Sequence, residues 1–106
     1  MSRREKIEAL LADSPDDAFL RYGLALELEK EGRHAESLEH LRGLMRLDTP
    51  YVPAFFMSAQ QLAKLSRIDE ARAALRDGIE HARTQGNSHA AGEMAEFLAS
   101  LGRLGE

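Results

Sequence analysis

The 106-residue chain contains no cysteine and no tryptophan. The first absence removes disulfides, thiolate nucleophiles and cysteine zinc sites together, and it fits a reducing compartment, so the sequence implies a cytoplasmic protein. Aromatics make up 6% of the residues and proline occurs three times. A mix poor in both and rich in Leu, Ala, Glu and Arg favours helices over strands. No apolar run approaches the ~18 residues a membrane span needs, and Glu8 and Asp13 interrupt the stretch after Arg3-Arg4 that a secretory leader would require. Basic charge is also short. The balance is −4, whereas a general nucleic-acid binder concentrates a basic surplus on one face. At this length one core forms, with no room for a separate catalytic module, so residues 1–106 are read as a single domain.

What the chain does have is repetition. Glu31-Gly32-Arg33, Leu65-Ser66-Arg67 and Leu101-Gly102-Arg103 read as one recurring turn, its middle residue advancing by 34 (66 − 32) and then by 36 (102 − 66). Three apolar series keep the same step: Ile7, Leu41, Leu75; Leu10, Leu44, Gly78; and Leu11, Met45, Ile79. A unit of that length holds one helical hairpin, which buries its apolar face only by stacking on neighbours.

Helical periodicity and punctuation predict six helices, over about 3–12, from Ser14-Pro15-Asp16-Asp17 to Glu31, then 34–47, 54–65, 68–83 and 89–102. Ser14 reads as an N-cap with Pro15 at the first helical position, and Asn87 or Ser88 as the cap of the last helix. The prolines of Asp48-Thr49-Pro50-Tyr51-Val52-Pro53 mark a tight connection, because a residue preceding proline is pushed out of the helical region. Short connections imply antiparallel neighbours.

This pattern resembles the tetratricopeptide repeat family, whose unit is a 34-residue helix pair with small residues at the helix crossings. Ala25, Ala59 and Ala95 match the small position of the first helix, Leu28, Leu62 and Leu98 the bulky one after it, and Ser37 and Ala71 the small position of the second. The family's early aromatic matches Phe55, with Arg21 and Ala91 at that place in the other units. About two and a half repeats follow: a half-repeat helix over 3–12, repeats over 18–51 and 52–85, and a terminal half-repeat over 88–104. The fold class implied is all-α, a right-handed solenoid of antiparallel hairpins.

The resemblance also implies a function, docking a peptide or protein segment in a concave groove lined by the first helices, without catalysis and without a cofactor. Carrying the groove positions over gives Phe19, Tyr22, Leu26 and Lys30 from one unit, and Phe56, Gln60 and Lys64 from the next. Tyr22 and Phe56 read as exposed aromatic anchors, and the two lysines as guides for an acidic segment. Phe19, Tyr22 and Leu26 also fit a second role, as core against the first helix. The family's clamp for a C-terminal carboxylate is absent, since Tyr22 and Leu26 stand at its positions. Phe97, Leu101 and Leu104 on the last helix either fold back on the fifth or support self-assembly through the end helices.

Catalytic and metal patterns are missing. His34 and His40 are six residues apart and face different ways, while His81 and His89 flank the 84–88 linker without a metal-ligand spacing. No nucleophile elbow or phosphate loop is present. Glu36 with His40, and Glu39 with Arg42, read as pairs on solvated faces. Neither nucleic acid nor a membrane is expected as partner.

Overall fold

A computed structural model describes residues 1–104, with the side chains of Arg103 and Leu104 outside the description. Among the described residues there are six helices and no strand: α1 (Arg3–Asp13), α2 (Ala18–Lys30), α3 (His34–Met45), α4 (Val52–Lys64), α5 (Ile68–Thr84) and α6 (Ser88–Leu104). They gather into two compact units, Met1–Tyr51 and Val52–Glu106. The division falls at the edge between the two repeats read from the sequence.

The recurring turn has a specific geometry at its first two occurrences. At the end of α2, Arg33 N–H donates to the Leu28 carbonyl at 2.9 Å and Gly32 N–H to Glu29 at 3.0 Å. At the end of α4, Arg67 N–H donates to Leu62 at 2.8 Å and Ser66 N–H to Ala63 at 3.0 Å. These are the paired bonds of a Schellman cap, in which the donor of the inner bond is a left-handed residue. Gly32 supplies it at φ 78°, and Ser66 adopts it at φ 63° despite its Cβ. The third member is not where the repeat placed it. Leu101 and Gly102 continue α6, and the third Schellman cap closes α5, with Gly86 at φ 75° and Asn87 N–H on the Ala82 carbonyl at 2.7 Å.

Two other boundaries differ from expectation for identifiable reasons. Ser14 is the C-cap of α1, its N–H on the Leu10 carbonyl; Asp17 caps α2 instead, accepting the Leu20 N–H at 3.0 Å. Ser-Pro-Asp-Asp serves as well for a turn as for a cap, and Asp17 N–H on the Ser14 carbonyl makes it a turn. Helix α4 begins at Val52, so Pro53 lies inside its first turn, where no backbone donor is needed. Helix α1 opens with a reciprocal capping box between Ser2 and Glu5, a Ser-x-x-Glu spacing visible in the sequence.

In the first unit, Leu24, Ala25 and Leu28 of α2 are buried with Ser37, Leu38, Leu41 and Leu44 of α3. Ala25 and Ser37 are both fully buried, and the Ser37 hydroxyl donates to the Ala25 carbonyl at 2.6 Å. Helix α1 buries no residue; ion pairs from Arg3 to Glu27 (2.7 Å) and from Arg4 to Glu31 (2.8 Å) tie it to α2.

In the second unit, Phe55, Ala59 and Leu62 of α4 are buried with Ala71, Leu75 and Ile79 of α5 and Ala91, Met94 and Leu101 of α6. Gly78 is the crossing point. A Cβ there would lie 2.5 Å from the Phe55 Cβ and 2.7 Å from the Met94 sulfur. Ala59 is buried as its spacing requires, whereas Ala95 is exposed and Ala91 takes the inward place on α6. The difference is one of cover: α5 follows α4 and closes over Ala59, while among the described residues no helix follows α6.

Arg33 and Arg67, the last residues of the two caps, each close on a glutamate three positions on. Arg33 meets both oxygens of Glu36 (3.0 and 2.6 Å) and Arg67 both of Glu70 (2.6 and 2.7 Å). These bidentate bonds raise the pKa of each guanidinium and lower that of Glu36. An Arg-x-x-Glu repeated at the 34-residue step was the available signal. The hydrogen bonds of Glu36 go to Arg33, and Glu39 pairs with Arg42 at 3.2 Å.

Candidate functional site

Three of the four groove residues expected on the first unit, Phe19, Tyr22 and Leu26, meet in one cleft, and Lys30 does not line it. Residues 19–26 of α2 carry Phe19, Tyr22 and Leu26 at helical spacing, so all three face the same way, toward α1. With Gly23, Leu20 and Ile7 they line a cavity of about 360 Å³ whose remaining walls are Arg3 and Lys6. Gly23 helps to open it, since the nearest atom to a Cβ there is the Ile7 Cδ1 at 3.5 Å. The floor is apolar and the rim is basic.

Exposure separates the residues that the sequence left with two roles. Phe19 is 72% exposed and so is not core. Tyr22 is half-buried, its ring against Tyr51 with centroids 5.5 Å apart. Burial, together with the neighbouring Tyr51, pushes the Tyr22 phenol above its ordinary range. Leu26 is half-buried, and Lys30 reaches into solvent with its ammonium 3.6 Å from Glu27. Glu27 also holds Arg3, so its carboxylate is shared between two cations at the edge of the cleft.

In the second unit Phe56 is not a free anchor. Its ring packs on Phe97 of α6 with centroids 5.7 Å apart, and both rings are half-buried. Gln60 is half-buried and Lys64 exposed. Leu101 is fully covered, and the Arg72 guanidinium bonds its carbonyl at 2.9 Å. Two of the three apolar residues singled out on the last helix thus fold back into their own unit, and the side chain of Leu104 lies outside the described residues.

The histidines are placed apart. His81 stacks on Phe55 (5.4 Å between centroids), while His89 approaches Glu93 at 3.3 Å and His34 approaches Glu29 at 3.9 Å. Among the described residues, no three of His, Cys, Asp or Glu gather where they would hold a metal ion, and no helix is long and apolar enough to cross a membrane.

Comparison with known proteins agrees with this geometry. No family model matches the chain. A TPR repeat-containing protein of Pseudomonas aeruginosa is 30% identical over 99 residues, covering 93% of this chain and 94% of the relative. The solution structure of a Bordetella parapertussis protein superposes with a TM-score of 0.81 at 27% identity, covering 97% of this chain and 90% of that one. A tetratricopeptide repeat domain protein of Salinibacter ruber matches in solution (TM-score 0.77, 29% identity, 82% of this chain and 88% of that chain) and as a crystal structure (0.75, 28%, 83% and 99%). With six helices, Schellman-capped repeats and a relative matched over nearly the full length of both chains, this protein belongs to the tetratricopeptide repeat family.

Proposed function

We propose that this chain is a non-catalytic docking module that receives a peptide or protein segment on the first helices of its repeats. Tetratricopeptide repeats serve protein–protein interaction, and their stacked helices present extended surfaces rather than closed reaction sites. The observation that carries the reading is Phe19, a large aromatic standing 72% exposed at the mouth of an apolar cleft. Exposed aromatics over a preformed apolar floor are the usual anchors of an interface. At the cleft edge Arg3, Lys6 and the nearby Lys30 outnumber Glu27, which pairs with Arg3 and Lys30, so an acidic segment bearing an aromatic or aliphatic side chain is the best-matched partner. Phe56, Gln60 and Lys64 are the contact residues proposed on the second unit.

Affinity capture from native lysate with wild type and Phe19→Asp tests this. A heterologous protein held by wild type and lost with the variant is the expected result, and equal capture by both would remove the cleft from the function. Because Phe19 is mostly in solvent, the substitution leaves the fold intact, which circular dichroism checks.

Self-association is a second reading, favoured by Leu10 of α1, which is 53% exposed. Light scattering at micromolar concentration decides it: a dimer that Leu10→Glu returns to monomer supports assembly through α1, and a monomeric wild type ends it.

A further inference from the structure

The first unit has a second cavity, away from the docking cleft, of about 440 Å³, lined by Leu11, Pro15, Asp16, Arg21, Leu24 and His40. Arg21 occupies the place, 34 residues earlier, at which the second repeat puts Phe55. The two positions are used differently. Phe55 is buried at the Gly78 crossing, whereas Arg21 runs toward α3, its Nη2 lying 3.0 Å from where a Cβ on Gly43 would be.

The Arg21 guanidinium is half-buried and meets no carboxylate or carbonyl within bonding distance among the described residues. Every other half-buried arginine there is paired: Arg4 with Glu8 and Glu31, Arg33 with Glu36, Arg42 with Glu39, and Arg72 with Asp69 and the Leu101 carbonyl. A partly desolvated cation without a partner forgoes the charge-assisted bonds that its five donors can make. Its side chain lines a cavity shared with His40 and Asp16 and otherwise walled by Leu11, Leu24 and Pro15.

We infer that this cavity is a binding site for a carboxylate carried on a small apolar body. The guanidinium fork matches the two oxygens of a carboxylate, His40 stands beside it as a further hydrogen-bonding group, and the leucines and proline accommodate carbon. The charge balance selects a monoanion over a phosphate dianion. Arg21 contributes one positive charge and Asp16 at the exposed edge contributes one negative. The site is independent of the docking cleft, and the two readings stand or fall separately.

The probe is benzoate, titrated at constant ionic strength into the ¹⁵N-labelled full chain, with benzamide as the neutral isostere. Saturable shifts at the amides of Leu11, Arg21, Leu24 and His40 with benzoate, and none with benzamide, are expected. Arg21→Met places at this position an apolar side chain like its counterpart Phe55, and should weaken binding at least about tenfold while helicity is retained. Asp16→Asn removes the competing carboxylate and should tighten it. No saturable shift in wild type, equal shifts with benzamide, or undiminished binding by a folded Arg21→Met would each overturn the assignment. A wild type that is silent while Asp16→Asn binds would overturn it as well, because Asp16 would then be the native counter-ion of Arg21. The benzamide comparison needs no variant, so the outcome does not depend on Arg21→Met folding.

Discussion

Adding one methyl group at Gly78 should destabilise the protein, although alanine is the better helix former. Intrinsic propensity alone favours Gly→Ala inside a helix by about 0.8–1 kcal/mol. At Gly78, however, the new Cβ would sit 2.5 Å from the Phe55 Cβ and 2.7 Å from the Met94 sulfur. Methionine is flexible and its sulfur can move aside, but the Phe55 Cβ is fixed to the backbone of α4. Restoring ordinary contact therefore means opening the α4–α5 crossing from 2.5 toward 3.4 Å, a gap that forfeits part of the dispersion energy of every pair around it. Overpacking costs about 1–3 kcal/mol, and a clash with a Cβ that cannot rotate away falls in the upper part, about 2–3, so that subtracting the propensity gain leaves a net loss of about 1–2 kcal/mol. Gly92 of α6 is the internal control, since a Cβ there meets nothing within 4 Å and the position is exposed. Gly92→Ala should gain about 0.5–1 kcal/mol. In thermal unfolding followed by circular dichroism, the first variant should melt about 4–16 °C below wild type, and the second about 2–8 °C above it. A Gly78→Ala protein as stable as Gly92→Ala would refute the close crossing of α4 and α5.

Ser66→Gly should stabilise by about 1 kcal/mol, because Ser66 holds a left-handed conformation that disfavours any side chain; Gly32→Ala should destabilise by a similar amount, and urea midpoints compare the two. Ser37→Ala leaves the buried Ala25 carbonyl without the hydroxyl that bonds it, and should cost about 1 kcal/mol by the same assay. Tyr22 gives a pH signature. Its folded pKa is raised, chiefly by burial, so its contribution is fully present below the unfolded value near 10 and is lost as pH rises through the folded one. Tyr22→Phe should therefore lose less stability than wild type between about pH 9 and 11, as read from urea midpoints across that range.

Much of the architecture was legible in the sequence because repetition and helix punctuation are local signals. Gly32 and the 34-residue step located the first two caps, and even Ser66 was identified by register although its side chain disfavours the conformation. Where one local signal fits two structures, position failed. Ser14-Pro15-Asp16-Asp17 serves a turn or a cap, and only the backbone bond from Asp17 to Ser14 separates them. Leu101-Gly102-Arg103 copies the turn residues, yet Leu101 is drawn into the core and its helix runs on to Leu104. Exposure of the aromatics was least legible, because it depends on which ring the fold delivers. Tyr51 arrives from the α3–α4 connection to cover Tyr22, and Phe97 from α6 to cover Phe56; among the described residues no ring packs on Phe19, which stays mostly exposed. The environment of Arg21 was hidden for the same reason, since a missing partner is a property of three dimensions.

The most direct test of the docking account is a hydrogen-exchange comparison of the free chain with the chain saturated by its captured partner. The account predicts new protection centred on residues 19–30 of α2 and the adjoining face of α1, abolished by Phe19→Asp. Protection confined to α3 or α5, with α1 and α2 exchanging as in the free chain, would contradict it.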